Sequence, residues 1–255
     1  MITRRRAFSL SAAWLALAGG AGAQTTRPAG KIGYLHPRLV TPDHATLVAL
    51  RSAWQPLGYV EGETELLRSA EGDMRRVPGL VAEMVAQGAG VLIVVGAAAL
   101  RAADRAVRQA STDQRGPTPI VAIDLESDPV REGYAASLGR PGGHVTGLFL
   151  DQPSLAGKWI DLLREASPAL GRLPTTTFQS AAVRAGLMLS YGPLNDTYLP
   201  RAALMADKIL RGARPADLPI ERPSRYEFVI NLKTAKALGL TIPQALLLLA
   251  DEVIE

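Results

Sequence analysis

Asp124, Glu126 and Asp128 place three carboxyl groups within one short stretch that follows an apolar run. Two kinds of chemistry fit them. The group can receive the cationic part of a ligand, such as an amine, or Asp128 can cap a short helix opened by Pro129 while Glu126 stays solvated. A metal site fits less well, because no histidine lies nearby in sequence and the D-x-[DN]-x-[DN]-G loop is absent. A second candidate is Gly96-Ala97, where an apolar strand runs into a helix whose first N–H groups could face an anion such as a ligand carboxylate. One glycine is neither G-x-G-x-x-G nor a Walker loop, so a dinucleotide site is not indicated, and a tight turn for close packing is the competing reading. Of the three histidines, His36, His44 and His144, only His36 falls at the end of an expected strand, whereas His44 falls in the first turn of a helix. Tyr191, between Ser190 and Gly192, offers an aromatic face and a hydroxyl for stacking or hydrogen bonding, or else packs a hinge. With no cysteine, no G-x-S-x-G and no H-E-x-x-H, nothing assembles a nucleophile and its base. The expectation is a protein that binds rather than turns over, without a cofactor. An exported α/β enzyme using Asp124 and Glu126 is the alternative.

Several of these residues share a kind of position. Lys31–Leu35, Thr64–Ser69, Val91–Val95 and Pro119–Asp124 read as strands, and helices over Thr41–Leu57, Val77–Val85 and Ala97–Ala110 alternate with them. Leu47, Leu50, Trp54 and Leu57 lie on one helical face, which assigns Trp54 to the core. Alternation with short links predicts a parallel, doubly wound sheet, and ligands of such sheets sit beyond the carboxyl ends of the strands. That rule selects the loops after His36, Val95 and Asp124. His36, Gly96, Ala97, Asp124, Glu126 and Tyr191 are therefore expected to converge on one concavity.

The extended segment Val145–Leu150, after the Pro141-Gly142-Gly143 turn, reads as a passage between two α/β regions. Gly186–Pro193 has the same turn-flanked apolar character and is expected to lie alongside it. Beyond it come helices over Ser154–Ala166 and Thr197–Leu210, a stiff run with Pro215, Pro219 and Pro223, a strand at Phe228–Ile230, a short helix at Lys233–Leu238 and a last helix over Ala245–Ile254.

Composition bounds the class. An apolar fraction of 47% suits a buried α/β core. Three of the four net positive charges are Arg4, Arg5 and Arg6, so the rest of the chain is near neutral and offers no electrostatic case for nucleic acid. Those arginines, the apolar run Phe8–Ala18 and Ala21-Gly22-Ala23 read as a cleaved export signal. The run is too short to span a bilayer, and without cysteine there is no lipid-bearing residue after cleavage. The expected location is the periplasm, with no stable membrane anchor.

Gly58-Tyr59-Val60-Glu61-Gly62, Asp128-Pro129, Ser137–Gly147, Leu187–Pro193, Pro215–Pro219 and Phe228–Pro243 together resemble the ABC transporter substrate-binding protein family. These motifs cover most of the mature chain in the family's order. The resemblance implies the type I periplasmic-binding-protein fold, with two Rossmann-like lobes joined by three crossovers and closing on a small solute, and an ABC permease as partner. Some relatives bind aromatic amino acids. Where the family usually carries hydroxyl residues after the third strand, this chain has Ala97 and Ala98. The expected division is an export signal over 1–23, lobe 1 over 24–144, lobe 2 with crossovers over 145–190, a return to lobe 1 over 191–222, and a C-terminal part of lobe 2 over 223–255. The second lobe is expected to be incomplete. From Ser154 to Val183 there is one helix and at most one short strand, whereas a doubly wound lobe needs several βα units of roughly 30 residues each. The family's pattern carries about two more units between the Leu163-Arg164-Glu165 helix and the strand beginning Leu173-Pro174-Thr175, which Ala169–Arg172 here joins directly. Trp159, Leu162 and Leu163 are then expected to lose their covering sheet, and solute binding is expected to be weak.

Overall fold

The computed structural model describes residues 30–111, 116–125, 128–166, 176–177 and 179–255. The export segment and the 169–172 junction lie outside the described residues.

The first sheet holds β1 (Lys31–His36), β2 (Glu65–Ser69), β3 (Ala89–Val95), β4 (Ile120–Leu125) and β5 (Val145–Phe149), in the order β2-β1-β3-β4-β5. All its pairings are parallel. Alternation along β3 shows how sequence builds the two layers. Val91, Ile93 and Val95 pack with α1 (Ala45–Trp54) and α6 (Asn195–Leu210), while Leu92 and Val94 pack with α2 (Val77–Ala86) and α3 (Ala97–Ala110). A strand covered on both faces has to be apolar throughout, as this one is. Trp54 is buried in the α1–α6 layer, its Nε1–H donating to the Ala203 carbonyl oxygen at 3.3 Å.

The close approach of β4 and β5 depends on Gly147. Its φ is 141°, and a Cβ there would lie 2.0 Å from the Ala122 carbonyl oxygen. Only glycine fits such a backbone contact.

The second sheet holds β6 (Thr176–Thr177), β7 (Leu189–Pro193), β8 (Tyr226–Asn231) and β9 (Glu252–Ile254) in that order. β7 and β8 run antiparallel, and the other two pairs are parallel. α4 (Gln152–Ala166) and α8 (Gln244–Leu249) cover it, with Leu162, Ala166, Phe228, Ile230 and Leu246 as their shared core. α5 (Ser180–Arg184) leads into β7, and α7 (Leu232–Ala237) begins on an Asn231 cap that accepts the Thr234 N–H.

Three passages join the sheets: Leu150–Asp151, Leu194, and the run from Leu218 to Arg225. The last runs beside β5, where Phe149 N–H donates to the Glu221 carbonyl oxygen at 2.8 Å and Glu221 N–H to that of Gly147 at 2.9 Å. The fold is thus α/β with a parallel first sheet and a second sheet in a separate lobe, as the sequence predicts.

Five expectations need correction. β5 belongs to the first sheet, so the first lobe runs through Leu150 rather than ending at 144. β7 belongs wholly to the second sheet, and the return to the first lobe begins with α6 rather than at 191. The partner lying alongside Val145–Leu150 is the Glu221 passage, not Gly186–Pro193, because β7 finds its hydrogen-bond partners in β6 and β8. The last helix stops at Leu249. Asp251 turns the chain by bonding Phe228 through both its backbone N–H and its carboxylate, and the β-branched Val253 and Ile254 then pair with β8. Finally, the α4 stripe is covered: Leu162 is 3% exposed, Leu163 packs on the second core, and Trp159 Nε1–H donates to the Tyr191 carbonyl oxygen at 2.7 Å. β7, β8 and α8 supply the surface that the sequence pattern left unassigned.

Candidate functional site

The carboxyl ends of β1, β3 and β4 lie side by side, since Leu35 pairs with Val94 and Val95 with Ile123. This brings His36, Gly96, Ala97 and the backbone of Asp124 to one edge of the first sheet. Gly96 adopts φ 81° and ψ 148° as the N-cap of α3, and a Cβ on it would sit 3.7 Å from Pro37 Cγ, so the first and third loops touch. The side chain of Asp124 and all of Glu126 lie outside the described residues. Asp128 serves the local backbone, its Oδ1 accepting the N–H of Val130 at 2.9 Å; the chain there forms a turn rather than a helix.

His36 is buried, 5% exposed, and its ring lies 5.1 Å from that of His44. Its Nδ1 sits 3.2 Å from the Arg38 N–H and 3.0 Å from the Arg38 carbonyl oxygen, so either tautomer finds a partner. Burial lowers the His36 pKa from its ordinary value, an effect partly opposed by the bond to Arg38 and reinforced by His44 and Arg38 charge. The imidazole is therefore neutral at pH 7. His44, the residue before α1, has a buried Nδ1 without a hydrogen-bond partner among the described residues.

His44 carries this edge into a cavity of about 470 Å³ between the lobes. Ala45 and Thr46 at the start of α1 continue the first wall. Gln179, Ser180 and Arg184 on α5 and its approach form the second wall, with Glu227, and Pro193 and Leu194 of a crossover form the floor. Arg184 is held by the carboxylates of Glu227, at 3.1 Å, and Glu252. The surface thus mixes imidazole, hydroxyl, amide and paired charge, suited to a small polar molecule.

Tyr191 is not part of this surface. It stacks on Tyr226 with ring centroids 5.5 Å apart and meets Phe228 edge-on, within the layer covered by α4 and α8. Strand alternation sends Leu189 and Tyr191 to the same face, and that face is core. His44, Gln179 and Ser180 were the residues missed. Gln179–Ser180 follows the carboxyl end of β6, so the rule that selected the first-lobe loops selects them too, once Thr176–Thr177 is known to be a strand.

Among the described residues there is no group of three or more potential metal ligands, and no helix is long and apolar enough to cross a membrane.

Two α/β lobes with three connections and a cleft at strand ends define a protein of the periplasmic-binding-protein fold. Residues 169–254 match the model of the ABC transporter substrate binding protein family, so the resemblance read from the sequence holds over the C-terminal part of the chain. Similar solved structures include an ABC domain from Streptococcus pneumoniae in complex with L-Trp, at 20% identity and TM-score 0.73, covering 88% of this chain and all of that one. A conserved domain protein from Vibrio cholerae has 18% identity and TM-score 0.69 over 88% of this chain and 99% of its own. A ligand-free, open substrate-binding protein with adhesive properties, from Clostridium difficile, has 17% identity and TM-score 0.57 over 84% of this chain and 96% of its own. No curated protein matches in sequence.

Proposed function

We propose that this protein is the periplasmic solute-binding component of an ABC importer, taking a small polar solute, amino-acid-like or amine-containing, between its lobes. The interlobe cavity between His44 and Gln179–Ser180 is the observation that carries the reading. The family match over residues 169–254 supports it and supplies the permease as partner. His36, Gly96, Ala97, Asp124 and Glu126 form the first-lobe side of the site, with His44 linking them to the cavity. The protein works by reversible binding, with neither nucleic acid nor a membrane anchor in the mechanism.

Binding is weak, because the described sheet behind the second wall is small, with edge strands of two and three residues. Calorimetry and thermal-shift measurements on the full mature chain test this. Amino acids are the first solutes to try, given the L-Trp held by the Streptococcus protein, followed by amines and small carboxylates. Saturable binding lost in Ser180→Trp, which fills the cavity, is expected. Turnover abolished by Asp124→Asn or Glu126→Gln would overturn the receptor reading in favour of the enzyme, and micromolar or tighter binding would overturn the claim of weakness.

A further inference from the structure

We infer that the groove between α2 and α3, on the outer face of the first lobe, docks an acidic polypeptide segment carrying an apolar side chain. The groove has a volume of about 490 Å³ and lies apart from the interlobe cavity. Its floor is made of methyl groups: Ala102 and Ala106 of α3, buried, with Ala98 and Pro78 beside them. Its rim is basic, formed by Arg75, Arg101 and Arg105, and none of its lining residues is acidic.

Two of the three rim charges are left over for a partner. Arg51, Arg68, Arg75, Arg76 and Arg108 each hold a carboxylate. Arg101 and Arg105 form no hydrogen bond or ion pair among the described residues, although they lie one helical turn apart on one face, where like charges repel. Among the described residues, two nearby acids are already committed. Asp73 is bound by Arg75, and Asp104 by Arg108 and by His144 Nε2 at 2.8 Å. Burial is the main cause that raises the Tyr134 pKa, and Arg101, Asp104, Glu132 and Arg105 act on it in opposing directions. Carboxylates from a partner would remove the repulsion, and the alanine floor leaves room for one side chain between them.

Size points to a polypeptide. From Ala98 to Gln109 the groove runs roughly 16 Å along α3 at 1.5 Å per residue, the span of about five extended residues. If the chain serves a permease, as proposed above, an acidic extramembrane loop of that partner is the natural occupant. The docking itself needs no solute.

Fluorescence anisotropy at low salt with the labelled peptide Asp-Glu-Leu-Glu-Asp tests the inference. Binding is expected to fall about tenfold or more in Arg101→Gln/Arg105→Gln, to be absent for Asn-Gln-Leu-Gln-Asn, and to persist in Arg140→Gln, which removes an exposed charge elsewhere. Unchanged melting of the double variant, and an unchanged response to any solute that binds, separate docking from folding and from the cleft reading. Equal losses in Arg140→Gln and the double variant would show general charge attraction and overturn the proposal. So would arginine-dependent binding to phosphatidylglycerol vesicles without peptide binding, which would assign the face to a membrane surface.

Discussion

In the first lobe, five strands of five to seven residues lie between two helix layers, and every inward position of β3 is buried. In the second lobe, the described sheet runs from a strand of two residues at one edge to one of three at the other. Both lobes leave some apolar side chains in solvent, Leu39 in the first and Leu248 and Leu249 on α8 in the second, the last two beside the fully buried Leu246. Both lobes have well-formed helices, but among the described residues the first has a core cluster on each face of its sheet and the second has one cluster. The first lobe is therefore expected to be the more stable of the two. The first lobe also receives α6 from beyond the second, anchored by Tyr59 OH donating to Asp207 at 3.0 Å, so the chain's later part reinforces its earlier part.

Glycine substitutions give the sharpest test of this contrast. Gly147→Ala drives a Cβ into the Ala122 backbone and should cost about 4 kcal/mol in chemical denaturation. Gly186→Ala is strained by its φ of 121° but meets nothing within 4 Å, and should cost about 1 kcal/mol. Comparable losses would remove the distinction between the lobes.

Core truncations come next. Ile93→Ala should cost roughly 3–4 kcal/mol and lower the main unfolding transition. Leu162→Ala should cost roughly 2–3 kcal/mol and act on the second lobe, whose amides should exchange through openings of lower free energy than those of β3. A single transition lowered equally by both variants would mean that the lobes unfold as one unit.

A smaller effect is expected with pH, and it falls on the first lobe. Burial lowers the pKa of both His36 and His144 from the ordinary 6.5, so the unfolded chain takes up protons first. Stability is then full above that value and falls as pH drops through the two folded-state pKa values. Melting temperatures between pH 7.5 and pH 5 should decline, and His36→Gln should flatten the decline. An unchanged slope in that variant would remove His36 from the account.

The smallest effect concerns the hinge. Asp151 holds φ at 50° between β5 and α4 and pairs with Arg222, at 3.4 Å, whose guanidinium lies 5.1 Å over the Phe149 ring. Asp151→Asn keeps a residue type that tolerates this backbone but removes the charge, so stability should change by less than about 1 kcal/mol. Small-angle scattering should nevertheless show a shifted balance of open and closed forms. Identical profiles would leave the ion pair without a hinge role.

The alternation of strands and helices from β1 to β4 was legible in the sequence. An amphipathic helix or a doubly covered strand writes its environment into its own spacing, as Leu47, Leu50 and Trp54 or Val91–Val95 do. The sequence also placed His36, Gly96 and Ala97 at one sheet edge, because the carboxyl ends of parallel strands are fixed by chain direction. Tertiary structure alone decided the rest. That Glu221 rather than Gly186–Pro193 lies beside β5, that Tyr191 turns into a core while His44 opens onto the cavity, and that Leu162 is covered all depend on segments far apart in the chain. Local periodicity reports which face of an element is apolar, but it carries no information on which distant segment will cover that face.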